Sequence, residues 1–265
     1  MKNNNKFRLD VWGAITLGTI ALYALFLLYP MAYLIRQSVL DPDTGGFTLA
    51  YFTKFFSKSY YFDTLINSFK VSITATVLSI AIGTPLAYLF TIFKIKGKSV
   101  LNILIVVASM SAPFIGAYSW ILLLGRSGII TTFFKNLGIA IPDIYGFGGI
   151  VLVMTLQLFP LVFLYVSGAM KNIDNSLLEA AESMGCKGIK RFLTVIVPLC
   201  MPTILAAMLL VFMRAFADFG TPLLIGQGYR TFPVEIYNAF FSETTGGDYG
   251  FACATSVIAI VITTV

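Results

Sequence analysis

Few residues in this chain are equipped for chemistry. None of its 265 residues is a histidine, which excludes a His-based metal site, a His-containing catalytic triad and a His general base. Gly226-Gln227-Gly228 and Gly146-Phe147-Gly148-Gly149 are glycine-rich. Neither is followed by the Lys and the Ser or Thr that a phosphate-binding loop places on the phosphates and on magnesium. No nucleotide or cofactor site is legible, and these glycines read as turns and helix breaks. Cys186, Cys200 and Cys253 are dispersed without C-x-x-C spacing and read as small apolar residues. Two constellations remain. Arg214 and Asp218 lie four apart and would share a helix face. Ser176, Glu179, Ala180, Ala181, Glu182 and Gly185, with Pro198 beyond them, form a polar segment that reads as folded.

The surroundings of these residues are apolar. Hydrophobic residues make up 58% of the chain and charged ones only 11%, against about 25% charged in soluble domains. With a mean hydropathy of +0.87, such a chain cannot cover a water-facing surface and belongs in a bilayer. The expected fold is an all-α polytopic membrane protein of about six helices.

The basic tail 1–10, with Lys2, Lys6 and Arg8, precedes an apolar run over 11–35. That run is too long for a signal-peptide core, and no A-x-A cleavage pattern follows it. It reads as an uncleaved first span. A polar stretch over 36–68 has turn chemistry at Asp41-Pro42 and Gly45-Gly46. Its aromatics, among them Tyr51, Phe52, Phe55, Phe56, Tyr60 and Tyr61, suit a short helix at the membrane interface. The second span is expected over 71–93, with Gly83 and Pro85 as a kink. A turn carrying Lys94, Lys96 and Lys98 leads to a third span over 100–124, interrupted by Pro113 and Gly116. The fourth runs over 149–170, bent at Pro160, and the fifth over about 196–219. A last apolar run starts at Phe251 and is still apolar at Val265, shorter than the ~20 residues a crossing takes. The expectation is a sixth helix cut short, in the front part of a longer polypeptide.

Charge sets the orientation. With the N-terminus inside, segments 1–10, 94–99 and 171–191 hold ten of the eighteen Lys and Arg in 37 residues, while segments 36–68, 126–148 and 220–249 hold six in 86. Basic residues concentrate on the cytoplasmic side of membrane proteins, so the tail and the 171–195 loop are expected in the cytoplasm.

That loop has internal punctuation. Ser176 and Glu179 have the spacing of a capping box, a short helix follows through Met184, and Gly185 stands where a left-handed cap would end it. Pro198 and Pro202 suit the first turns of a new helix. Glu179-Ala180-Ala181, with Gly185 four residues after Ala181 and Pro198 thirteen after Gly185, resembles the EAA loop of the membrane subunits of binding-protein-dependent ABC importers. Val195 and Val197 stand where that family usually has Ile and Leu. Ala217-Asp218-Phe219-Gly220-Thr221-Pro222 and Gly226-Gln227-Gly228-Tyr229-Arg230-Thr231 resemble the corresponding stretch of ferric-iron and 2-aminoethylphosphonate permeases.

The resemblance implies a type I importer transmembrane domain over 11–265, the first half of a two-half permease, with the 171–195 loop coupling it to an ATPase dimer. It also implies an extracytoplasmic binding protein, a second permease half, membrane lipid around the spans and no nucleic-acid partner. Ser176, Glu179, Ala180, Ala181, Glu182, Gly185 and Pro198 would carry the coupling. The cargo it implies is ferric iron, and 2-aminoethylphosphonate, polyamine, sulfate and thiamine permeases share the plan. The subunit itself would not be catalytic. Arg214 and Asp218 admit two readings: an internal ion pair easing burial, or a polar point on the translocation path, since intramembrane ionisable groups usually face an interior. A membrane-embedded enzyme would need a polar cluster at one depth, and only Arg214, Asp218, Gln157 and scattered hydroxyls are present. A secondary carrier would need a row of ion-relay residues, which is missing.

The charge count makes a topological prediction. Reporter fusions at Lys96 and Gly185 should report cytoplasm, and fusions at Lys54 and Gly138 the opposite side. A cytoplasmic signal at Lys54 would overturn the assignment of spans.

Overall fold

The computed structural model describes residues 11–41, 45–93, 95–110, 112–139, 142–241 and 248–264. The tail 1–10, Pro42, Lys94 and Val265 lie outside these residues. The described chain is almost entirely helical: α1 Val11–Ser38, α2 Ala50–Ser57, α3 Ser59–Ile92, α4 Lys98–Ser109, α5 Pro113–Leu124, α6 Ile129–Asn136, α7 Phe147–Lys171, α8 Asn175–Ser183, α9 Gly188–Ala217, α10 Gly220–Ile225, α11 Phe232–Phe241 and α12 Tyr249–Thr264. Among the described residues, five stretches are long and apolar enough to cross a membrane: α1, α3, α5 taken with α6, α7 and α9. α4 and α12 are shorter apolar helices.

Several elements differ from the sequence expectation. The second helix starts at Ser59 rather than Val71, because Asp63, Asn67 and Lys70 continue the helix beyond its apolar part. Tyr60 and Tyr61 therefore belong to α3, and the short aromatic helix is only α2, with Phe55 buried. The third span is two helices. Pro113 disfavours helical backbone in the residue before it, and Ala112 is extended, with φ −67° and ψ 141°. The loops expected over 125–148 and 220–249 contain α6, α10 and α11.

α9 also begins earlier than expected, at Gly188, so Pro198 and Pro202 stand inside a continuous helix. A proline ring clashes with the carbonyl four residues back and offers it no N–H. Here the turn Phe192–Ile196 is widened to i→i−5 bonding, with the Val197 N–H reaching the Phe192 carbonyl. In α1 the turn Ala24–Leu28 is widened in the same way two residues before Pro30. Inserted π turns are a known way for a helix to absorb such a break.

The chain divides into two compact units, 1–59 with 236–265, and 60–235. In the first, α12 packs on α1 and α2. Lys54 of α2 pairs with Asp248 at 2.6 Å and lies over the Phe251 ring. In the second, α7 is the central helix and packs against α4, α5, α9 and α10. One apolar cluster joins Tyr88, Phe90, Val162, Phe163, Val166, Ile196 and Ile204 of α3, α7 and α9. Another gathers Val71, Ala117, Ile150, Met154, Ala215 and Ile225. Arg126 ties three loops together: it bonds Asp143 at 3.1 Å and Gln227 at 2.8 Å and stacks on Tyr145.

Along α3 the residues Ser68, Ser72, Thr76, Ser79 and Gly83 are all buried at helical spacing. Small residues let membrane helices approach closely where no hydrophobic effect separates helix from lipid. Gly83 marks a close approach to α7, since a Cβ there would lie 2.8 Å from the Val162 Cβ and 2.9 Å from the Phe159 carbonyl oxygen. Gly83→Ala should therefore force α3 and α7 apart and destabilise the folded protein by ~1–3 kcal/mol. Gly168→Ala on α7, where a Cβ meets nothing within 4 Å, should do no harm. Unfolding in mixed detergent micelles checks both; equal effects would mean that the contact does not govern stability.

Candidate functional site

The segment 171–195 contains the elbow between α7 and α9, residues 172–187, together with the first turns of α9, and its punctuation is partly what the sequence spacing suggests. Ser176 is not the cap. Asp174, extended at ψ 127°, precedes the helix, and its carboxylate accepts the Ser176 N–H at 2.9 Å. The charged acceptor prevails over the hydroxyl expected to do this, because a carboxylate bonds an orphan N–H more strongly and suits the positive end of the helix. The same bond holds the Asp174 carboxyl below its ordinary value. The exit is as expected. Gly185 has φ +82°, its N–H reaches the Glu182 carbonyl at 3.0 Å, and the Cys186 N–H reaches Ala181 at 2.9 Å. This pair of bonds is a Schellman cap, which favours glycine at its left-handed position.

The faces of α8 have different destinations. Leu178, together with Ile173, packs against the cluster formed by α3, α7 and α9, and Ala181 is only 3% exposed. Ala180, expected to act alongside Ala181, is on the exposed side. Leu177 and Met184 are exposed at 50% and 80%, so residues 177, 180 and 184 form an apolar stripe at helical spacing on the open side. The two glutamates also separate. Glu182 is bonded by Arg191 at 3.2 Å and lies 4.0 Å from Lys187, so its charge is engaged within the elbow. Glu179 is exposed and enters no ion pair among the described residues.

Tyr88 of α3 fixes the base of the elbow. Its hydroxyl donates to the Gly188 carbonyl at 3.3 Å, and its ring lies 4.7 Å from that of Phe192. Sequence reasoning missed Tyr88 and Asp174. Asp174 was findable, standing beside Asn175 and Ser176 as one of three capping residue types. Nothing local marks Tyr88. Pro198, counted with the coupling residues from its spacing, lies in α9 just past the widened turn, beyond the elbow itself.

Arg214 and Asp218 both line a cavity of ≈ 440 Å³, shared with Ser109, Phe114, Gln157 and Phe219. They form no ion pair with each other, and the reading of an internal pair is corrected. α9 ends at Ala217, and Asp218 turns out of it with ψ 120°. Its carboxylate accepts the Thr221 hydroxyl at 2.6 Å and the Thr221 N–H at 3.3 Å. Asp218 thus leaves the negative end of one helix and caps the positive end of the next, α10.

The chain thus combines helices long and apolar enough to cross a membrane, a capped elbow after α7, and a cavity lined by Arg214 and Asp218. Residues 46–265 match the family described as binding-protein-dependent transport system inner membrane component, and this chain belongs to that family, a multi-pass protein of the inner membrane. It is 27% identical over 255 residues to the ferric transport system permease protein FbpB of Actinobacillus pleuropneumoniae, covering 95% of this chain and 36% of that one. It is 30% identical over 232 residues to the spermidine/putrescine transport system permease protein PotB of Haemophilus influenzae, covering 84% and 79%. The chain spans little more than a third of the length of the ferric relatives it matches. Among solved structures, a bacterial alginate ABC transporter in complex with an alginate pentasaccharide-bound periplasmic protein superposes with a TM-score of 0.81, at 16% identity, over 96% of this chain and 90% of that one. That likeness concerns the fold.

The cap makes a prediction separable from the sequence expectation. Asp174→Ala should speed hydrogen exchange at the first amides of α8 clearly more than Ser176→Ala does. Because the Asp174 pKa is lowered on folding, its contribution is complete well above the ordinary value of 3.8 and is lost as pH falls through the folded value. Exchange protection of wild-type α8 should therefore decline on acidification below about pH 4, and that decline should be absent in Asp174→Ala. A larger effect from Ser176→Ala would restore the capping box.

Proposed function

We propose that this chain is the translocating permease subunit of an ABC importer, and that the 171–195 elbow couples it to a separate cassette ATPase dimer in the cytoplasm. The observation that carries the reading is the two-sided character of α8. One face, Leu178 and Ala181, is seated on the chain's own spans. The other presents Leu177, Ala180 and Met184 with the exposed Glu179 beside them. A nine-residue helix is too short to be stable alone in water, where ~12–15 residues are marginal, so packing must hold it. A seat on α3, α7 and α9 on one side and a partner groove on the other would let a push on α8 move those spans together. Gly185 closes the helix in a conformation that side chains rarely adopt.

The remaining parts follow from the family resemblance. An extracytoplasmic binding protein delivers cargo, a second permease half, fused or separate, completes the path, and the tail 1–10 lies in the cytoplasm. Arg214 and the cavity it lines contribute to the translocation path, with Asp218 holding the cavity's edge. The cargo proposed first is ferric iron, supported by the FbpB relatives. The PotB relatives, at similar identity, support polyamine as the competing cargo.

Gly185→Val and Glu179→Arg test the coupling in proteoliposomes carrying the ATPase and binding protein. A β-branched residue at positive φ costs roughly 1–2 kcal/mol, enough for about a tenfold shift in docking. Both variants should insert normally yet lose the ATPase on purification or hydrolyse ATP without uptake. Glu182→Gln, which touches the internal pairs with Arg191 and Lys187, should retain the ATPase. Normal transport with bound ATPase in both test variants would reduce α8 to a surface helix.

A further inference from the structure

The polar groups of the Arg214 cavity are unevenly matched. Asp218 is its acidic lining group, and both of its oxygens are already taken by Thr221 at the start of α10. Its charge is therefore set against a helix N-terminus rather than offered to the cavity. The donors are unmatched. Arg214 is exposed at the cavity and makes no ion pair or hydrogen bond among the described residues. Gln157, a turn and a half along α7 from Phe163, has a buried side-chain Nε2 with no partner. Around them the wall is apolar, with Phe114, Leu158 and Phe219. A guanidinium and an unmatched amide N–H beside apolar surface are suited to an acceptor-only group. Arginine's planar fork matches the two oxygens of a carboxylate or phosphate, and a buried amide donor left without a partner is unfavourable until an acceptor arrives.

We propose that this cavity is a selective site for an oxyanion-bearing cargo, with Arg214 and Gln157 as the donors and Asp218 as the capping residue that fixes the cavity edge. The inference rests on the reading of the cavity as part of the translocation path and names the chemical class that path accepts. A polyamine, carrying several cations and no acceptor, would meet the Arg214 charge with the one carboxylate already committed. Ferric ion fits only as a chelate whose outward groups are carboxylates, since the hard oxygen ligands it prefers are then supplied by the chelator.

The test is equilibrium binding to the permease assembled with its ATPase in lipid nanodiscs, using citrate, ferric citrate, inorganic phosphate and spermidine as probes. The expected result is saturable binding of at least one anionic probe, weakened about tenfold or more in Arg214→Ala and less in Arg214→Lys. Gln157→Glu should also weaken the anion and admit spermidine. Binding of ferric citrate alone identifies a chelate as the source of the oxyanion, whereas binding of citrate or phosphate by itself identifies the free anion; either supports the site. The proposal is overturned if no anionic probe binds, if binding is indifferent to Arg214→Ala, or if spermidine competes in the wild type. An uptake assay separates the two claims. Arg214-dependent anion binding with unimpaired uptake in Arg214→Ala leaves the site standing and removes it from the path. Uptake lost in Arg214→Ala without anion binding keeps the path and overturns the oxyanion site.

Discussion

In hydrocarbon there is no water to bond a freed backbone group, so every interruption of a spanning helix must be repaired from within the chain. This constraint explains most of the irregular features here. Where Pro30 and Pro198 withhold an N–H, the preceding turn widens and the next residue reaches one carbonyl further back. Where α9 stops at Ala217, the Asp218 carboxylate takes up donors at the start of α10. Outside the spans, where water is available, α8 still closes itself, with the Gly185 and Cys186 N–H groups bonded to the Glu182 and Ala181 carbonyls. At Gly185 and Asp218 the backbone leaves the helical conformation, and these two breaks border the elbow and the cavity.

The elbow depends on a division of labour that composition alone conceals. Five charged groups crowd 179–191, but Glu182, Arg191 and Lys187 largely address one another. That local network, with the Tyr88 bond to Gly188, braces the turn between α8 and α9 against the base of α3. Surface ion pairs contribute little stability singly, so the brace relies on Leu178, Ala181 and the Tyr88–Phe192 contact. A force applied to α8 would then be borne by packed side chains reaching Val166 and Ile196 in the same cluster, a more rigid connection than exposed charges could offer.

Much of this was legible in the sequence, for reasons that differ from one element to the next. Apolar runs and the Glu179–Pro198 spacing carry the spans and the family, because bilayer thickness and a two-faced short helix impose strong local patterns. Gly185 was legible for the same reason, since a left-handed cap has few occupants. Helix starts were not. Polar residues such as Asp63 and Asn67 do not forbid a helix, and the Asn67 amide and Tyr60 hydroxyl are used by the backbone of Arg230 and the carboxylate of Glu235, partners more than 160 residues away. Asp218 was misjudged because helical spacing assumes a continuous helix. Once α9 ends at Ala217, one residue before Asp218, i and i+4 no longer share a face.

The sparse charge of the 60–235 unit acquires meaning through this accounting of partners. An ionisable group in an apolar bundle persists where something offsets its desolvation. Asp218 is offset by Thr221 and Glu235 by Tyr60, each by a named donor. Arg126 is offset by Asp143 and Gln227. Arg214 has a place at the end of α9, where a cation suits the helix dipole, and an open cavity in front of it. The same helix break that commits Asp218 to α10 removes it as a partner for Arg214. One backbone turn therefore both shapes the cavity and leaves its positive charge available, which ties the chemistry of the site to the repair of the helix.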